Sequence, residues 1–277
     1  MAVGNFKQTV WASKIQTQLD TITSLKNHCD FEYEGEIKYA ERIKILGVVR
    51  PTVKTYVPGT PLERESGKDN SQFMDIDQSK YYDFDVDDVE KVQSKPGKIE
   101  KLTEEGNKAL SEAADKYVAS LVAKEKANLA SAVSTDISTV TDGGISLIEG
   151  GFKKLYENNC KVSDNYHLEI NPEWYTILRP EIIELDTNNS DLIKKGYVGK
   201  YGNALISIEN LLSKWNDGTN DCTLCMLRTT KAIAFAGQLE NVEAFRPQDG
   251  FCDAVKALYV FGAKIVRPEQ IYLFPIY

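Results

Sequence analysis

Residues 74–91, MDIDQSKYYDFDVDDVEK, constrain the fold more tightly than any other stretch of the chain. Met74, Ile76, Tyr82, Phe84 and Val86 fall on even numbers, while Asp75, Asp77, Asp83, Asp85 and Asp87 fall on odd ones. A period of two sends alternate side chains to opposite faces of a strand, so all of those carboxylates share one face. Upstream, in EIKYAERIKILGVVRPTVKTYV (36–57), Ile43 and Ile45 alternate with Arg42 and Lys44. Val53, Thr55 and Val57 alternate there with Lys54 and Tyr56. These read as strands broken by Gly47 and Pro51. With Lys38, Arg42, Lys44, Arg50 and Lys54 along it, the first stretch predicts a basic strand beside which the acidic one returns. The segment between them, VPGTPLERESGKDNSQ (57–72), reads as a polar tip. Such a two-stranded ribbon does not stabilise itself in water and has to lie against something else.

The segment after the ribbon, GKIEKLTEEGNKALSEAADKYVASLVAKEKANLA, is rich in Ala, Glu and Lys. Ile99, Leu102, Leu110, Ala113, Tyr117, Leu121 and Leu129 mark a helical seam, and about thirty residues at 1.5 Å each would span roughly 45 Å. A shorter amphipathic helix is predicted over 9–26, from Trp11, Ile15, Leu19, Ile22 and Leu25. Farther on, VSTDISTVTD (133–142) is a short β-branched run and GGISLIEGGFKKLYENN a second helix. HLEINPEWYTILRPEIIEL reads as a strand, a Pro-led helical turn and another helix. GYVGKYGNALISIENLL reads as a Gly-rich loop feeding a strand, and the apolar C-terminal stretch as strands. The outcome is a mixed α+β chain without internal repeats.

A calcium loop begun at Asp83 would need Gly at its sixth place and Glu at its twelfth, where Asp88 and Ser94 stand. A charged strand face is the better account. Cys222 and Cys225, in CTLC, form a single pair with no second pair to complete a zinc site, and read as two buried thiols. The two histidines, His28 and His167, offer few bases for a triad, and no Gly-x-Ser-x-Gly elbow occurs. His28, in KNHCD, reads as the end of a helix. The glycine-rich spots lack phosphate-loop spacing. No catalytic residue, metal site or cofactor is expected. Net charge of −8, from 33 basic against 41 acidic residues, argues against tight binding of nucleic acid phosphates. Five scattered cysteines suit reduced thiols in a cytoplasm, and neither a secretory signal nor a membrane span is expected.

An N-terminal helical arm, a charged β-ribbon with a Pro/Gly tip and then one long helix together resemble the tailed-phage major capsid protein, whose fold is shared with encapsulin shells. VWASKIQTQLD, YEGEIKYAERIKILGVVRPTVKTY, MDIDQSKYYDFDVDDVEKVQ and FCDAVKALYVFGAKIVRPEQI are similar to that family's local wording. INPEWYTIL and GYVGKYGNALISIENLL are similar to its axial-domain segment. The resemblance covers most of the chain and rests on patterns, not on catalytic signatures. It implies an N-arm over 1–35, an extended loop over 36–93 with its tip at 57–72, and a peripheral domain with a spine helix over 94–140. It further implies an axial domain over 141–235, with 236–277 returning through both domains.

By the same resemblance the ribbon residues Lys38, Arg42, Lys44, Arg50, Lys54, Asp75, Asp77, Asp83, Asp85 and Asp87 would meet a neighbouring subunit. Ile99, Leu102, Leu110, Tyr117 and Leu121 would form the core face of the spine helix. The implied function is self-assembly into hexamers and pentamers of an icosahedral shell around double-stranded DNA, which is held non-specifically. The implied partners are further copies of the chain, a separate scaffolding protein, a portal and a decoration protein, with no membrane. Lys68 in the tip could donate to a crosslink of the kind some relatives form, but no partner is identified and none is predicted. The alternatives are a nanocompartment shell around an enzyme cargo, or a cytoplasmic redox or zinc enzyme using Cys222 and Cys225.

Overall fold

The computed structural model describes residues 25–33, 42–47, 51–56, 58–59, 61, 70–87, 98–140, 142–183, 197–247 and 251–277. The helix expected over 9–26 lies outside them, apart from a short 3-10 turn at Lys26–His28.

The parity of the acidic stretch holds, but its strand neighbours differ from those expected. β1 (Arg42–Ile45) pairs antiparallel with β2 (Gln72–Asp75), and Ile43, Ile45 and Met74 turn inward while Arg42, Lys44 and Asp75 face water. The acidic run then leaves this ribbon. β3 (Gln78–Asp87) pairs instead with β11 (Cys252–Ile265), which pairs in turn with β10 (Ile233–Phe245). The long basic-beside-acidic arm is therefore a four-residue ribbon continued by a three-stranded sheet. The physical reason is apolar: a long hairpin carrying Val255, Ala257 and Phe261 offers the even-numbered face of β3 a partner that the polar 51–56 segment cannot. That segment, expected as strand, is irregular, with Val53 at 92% exposure.

The long helix is α1, Lys98–Lys124 (27 residues, about 40 Å at 1.5 Å per residue). Its outward face carries Lys101–Glu104, Lys108–Glu105 and Lys116–Glu112 pairs one turn apart, each adding a few tenths of a kcal/mol. The buried stripe is Leu110, Ala114, Val118 and Val122, with Asp115 and Ala119 beside it. Leu102 is half-buried near the start of the helix, and Tyr117 and Leu121 are half-buried on the flank that meets the three-stranded sheet. There Tyr117 packs edge-on against Phe261. The buried stripe is thus centred one residue beyond the seam expected at 113, 117 and 121, and Ala114 and Ala119 belong to it.

A larger sheet runs β4 (Ala130–Ser131), β12 (Ile271–Ile276), β9 (Asp221–Thr229), β5 (Tyr166–Ile170), β7 (Ala204–Ile208), β6 (Tyr197–Tyr201), with β8 (Lys214–Asn216) also on β9. The β5–β7 and β4–β12 pairs are parallel and the others antiparallel. The glycine-rich segment expected as a loop forms the β6–β7 hairpin, and the β-branched run at 133–142 holds a 3-10 turn, Ile137–Thr139. One helix, α3 (Pro172–Ile183), runs through Pro180 where two were expected.

α2 (Ile145–Glu157) and α3 cover one face of the large sheet, burying Ile148, Phe152, Leu155, Trp174 and Leu178 against Leu168, Ile206, Leu227 and Phe274. The Asp142 carboxylate accepts from the backbone N–H groups of Gly144 and Ser146 and caps α2. Gly144 has φ +87°, and a Cβ there would meet the Trp174 indole nitrogen at 2.5 Å. That nitrogen donates to the Gly143 carbonyl, which locks the α2 entry to α3.

Leu110→Pro should break α1 at its first buried position and cost about 3 kcal/mol or more. A thermal or urea midpoint unchanged from the parent would contradict the helix as the brace between the two sheets.

Candidate functional site

β5 is buried on both faces, yet its two faces differ in kind. Leu168 and Ile170 enter the apolar core, while His167 and Glu169 point the other way, where cross-strand registry adds Arg228 of β9 and Ser207 of β7. Against this polar face lie residues 25–29 and the Asp115 turn of α1.

Arg228 is the centre of the cluster and is 0% exposed. Its Nε and Nη2 donate to the two oxygens of Glu169 at 3.1 and 2.8 Å. Nη2 also donates to the Leu25 carbonyl (2.7 Å), and Nη1 to the His28 carbonyl (2.9 Å) and the Cys29 sulfur (3.6 Å). All five N–H groups of the fork are thereby satisfied. Glu169 also bonds His28 Nδ1 at 2.8 Å, and the His28 ring stacks on His167 with centroids 4.1 Å apart. On the far side of the segment the Lys26 backbone N–H donates to Asp115 at 2.9 Å, and its ammonium to Ser111. Asp30 then bridges to Ala234 of β10. Six residues thus tie α1, the large sheet and the small sheet together.

The electrostatics follow from burial. Desolvation alone would push the Glu169 carboxyl up, but the Arg228 charge and the His28 hydrogen bond outweigh it and hold it at about 2. Burial raises Asp115 to about 6 against the opposing pull of its Lys26 backbone bond. Glu209, just past β7, is raised to about 9 by burial and by the Glu169 and Asp115 charges. Burial, with His28 beside it, lowers His167 to about 3. The Cys29 thiol rises to about 11, chiefly by burial.

His28 ends a 3-10 turn, in line with its reading as a helix end, but it is also a buried member of this cluster, which the local sequence did not show because its partner Glu169 lies 141 residues away. Arg228, Glu169, Asp115 and Glu209 were missed as a group. The available signal was a single charge inside an apolar strand, in HLEINP and in LCMLRTT.

Of the expected ribbon residues, Arg42 and Asp75 are brought together as an exposed ion pair, and Arg42 also lies over the Phe73 ring. Lys44 stands opposite Phe73 on the same outer face. Asp77 accepts from the Tyr117 hydroxyl (3.0 Å) at the foot of a groove lined by Asp75, Leu121 and Lys264. Asp83 and Asp85 sit on the other sheet, opposite Lys256 and Ala254. Lys54 is exposed in the irregular 51–56 stretch. Lys38 and Arg50 lie outside the described residues, as do the side chains of Asp87 and Ile99. Cys222 and Cys225 are buried free thiols on β9, and burial raises Cys225 to about 12. Among the described residues no group of three or more His, Cys, Asp or Glu is placed to hold a metal ion.

Arg228→Met should destabilise the subunit by about 3–5 kcal/mol, since it strands the Glu169 charge in the interior. Adding Glu169→Met should recover part of that loss. Urea unfolding of the two variants checks this, and equal losses in both would contradict the pairing.

No protein-family model matches the chain, and no curated protein does. Solved structures do match. A structure from Mycobacterium phage Che8 is 28% identical with a TM-score of 0.77, covering 99% of this chain and 98% of that one. The capsid structure of cyanophage P-SCSP1u is 14% identical at a TM-score of 0.77, over 98% and 93% of the two chains. A virus-like particle from Pyrococcus furiosus is 11% identical at 0.51, over 85% and 86%. No helix among the described residues is long and apolar enough to cross a membrane. The chain has the phage capsid fold.

Proposed function

We propose that the chain is the shell subunit of a tailed-phage capsid, assembling with copies of itself into hexamers and pentamers that enclose double-stranded DNA. The observation that carries this reading is the match of nearly the whole chain, without a large unmatched part on either side, to phage capsid structures. The role is structural and not catalytic. The Arg228 guanidinium is sealed and its donors are all used in bonds within the chain, which suits a joint within a subunit.

The exposed charges suit contacts between subunits. Tyr81 is 75% exposed beside Asp83, Asp85 and the Lys256–Glu243 pair. Exposed pairs contribute at most about 1 kcal/mol each, so they select register and partner while many copies together give the shell its strength. Scaffolding, portal and decoration proteins belong to this reading as separate partners, as do virion location and assembly in the host cytoplasm. The nanocompartment alternative has the weaker support of the Pyrococcus furiosus particle.

Negative-stain electron microscopy of the purified protein over a range of concentration and salt should show closed shells or ring-shaped capsomers. Particles with enzyme cargo in place of DNA would favour the nanocompartment. A chain that stays monomeric under all conditions, with and without a co-expressed scaffold, would sink both. Replacing Asp83 and Asp85 by Lys should leave circular dichroism and the unfolding midpoint near the parent's while lowering particle yield. Normal yield at physiological salt would remove these carboxylates from the interface.

A further inference from the structure

Where β5, β7 and β12 end and β9 begins, the large sheet borders a cavity of about 590 Å³. Glu209, one residue past β7, stands in its wall at 1% exposure, with its backbone N–H on the Ile170 carbonyl. Among the described residues neither Glu209 oxygen has a hydrogen-bond partner. Buried carboxyls are seldom left so, because water lost without a substitute is costly. Arg228 cannot serve it, since its donors are spent on Glu169 and on residues 25–29. Around the same cavity stand two exposed carboxylates, Glu173 and Asp221, against one exposed ammonium, Lys214. The cavity thus has more acid than base, and one carboxyl whose hydrogen-bonding capacity is unused. Pro172, Leu212 and Ile276 give it an apolar wall as well. A metal ion needs several close ligands, and among the described residues no group of three or more His, Cys, Asp or Glu is placed to supply them. An organic cation needs less: a carboxylate for its head and apolar surface for its stem.

We propose that this cavity binds an ammonium or guanidinium head on an aliphatic stem, with Glu209 as the carboxylate that receives the head. The stem lies along Pro172, Leu212 and Ile276, while Glu173 and Asp221 attract the cation and Lys214 opposes it. Lysine and arginine side chains and free alkyl diamines share this chemistry. Without a cation beside it, Glu209 keeps its proton up to about pH 9, held there by burial and by the Glu169 and Asp115 charges against that of Arg228. A bound cation favours the ionised carboxylate, so binding expels that proton to solvent. Apparent affinity therefore rises about tenfold per pH unit from pH 6.5 to 8.5. Asp115, at about 6, and His167, at about 3, titrate below this window, and Glu169, at about 2, is ionised throughout it. The site is a property of the single chain and does not rest on the shell reading.

The test is isothermal titration calorimetry of the full chain with cadaverine at pH 7.5, in phosphate and in Tris. The two buffers differ in heat of ionisation, so the difference between the apparent enthalpies counts the protons released. Cadaverine should bind with release of about one proton, and the corresponding uncharged diol should not bind. Glu209→Gln, which keeps the shape of the protonated side chain, should weaken binding at least about tenfold and abolish the proton release. Nα-acetyl-lysine methylamide binding as tightly as cadaverine marks a protein side chain as the source of the cation. A preference for cadaverine that Glu173→Gln removes marks a free diamine, whose second ammonium calls for a second carboxylate. No binding up to about 10 mM cadaverine, binding without proton release, or binding undiminished in Glu209→Gln would each overturn the site. If Glu209→Gln does not fold, the proton count in the parent decides alone.

Discussion

The Arg228 guanidinium is the point on which the three parts of the subunit converge. It neutralises Glu169 within the large sheet and at the same time holds the Leu25 and His28 carbonyls, so it fastens an irregular segment to a regular one. A buried ion pair is a costly way to gain stability, since desolvating two charges consumes most of what their attraction returns. Its merit here is geometric. A planar fork with five donors accepts one arrangement of partners, whereas an apolar contact at the same place would tolerate sliding. The Asp115 bond to Lys26 and the Asp30 bridge to β10 then transmit that position to α1 and to the small sheet.

A seven-stranded sheet covered by helices on one face and by a polar seam on the other contains two kinds of interior. The apolar layer, with Trp174 edge-on to Phe274 and Phe152 edge-on to Tyr166, tolerates only close packing. Among the described residues, the polar layer carries side-chain oxygens without hydrogen-bond partners at Asp115, Ser207 and Glu209. Packing rigidity and chemical tension are thus placed back to back on a single strand, β5.

Much of this was legible from periodicity. The burial of Ile43, Ile45 and Met74 and the exposure of Arg42, Asp75, Asp83 and Asp85 follow from alternation in the sequence, and so does the long helix. Pairing was not legible, because alternation says which face a side chain takes and is silent on which strand lies beside it. β3 meets β11 across more than 160 residues of chain. The cluster at Arg228 is assembled from 25–29, 115, 169, 209 and 228, positions that no local pattern connects. The signal in the sequence was misplacement: a lone Arg and a lone Glu inside strands otherwise fit for a core.

The acidic stretch changes partner between Asp75 and Gln78, leaving the β1 ribbon and entering the small sheet within two residues. Gly262 of β11 touches this crossing so closely that a Cβ there would collide with the Asp75 carbonyl and the Ile76 backbone. The short ribbon is therefore anchored to the β10–β11 hairpin at this crossing and along its inner face, where Ile43, Ile45 and Met74 pack with Ala234 and Ala236 and Lys264 donates to the Phe73 carbonyl. A displacement of the ribbon would carry the small sheet with it, and the Asp77–Tyr117 bond ties the same crossing to α1.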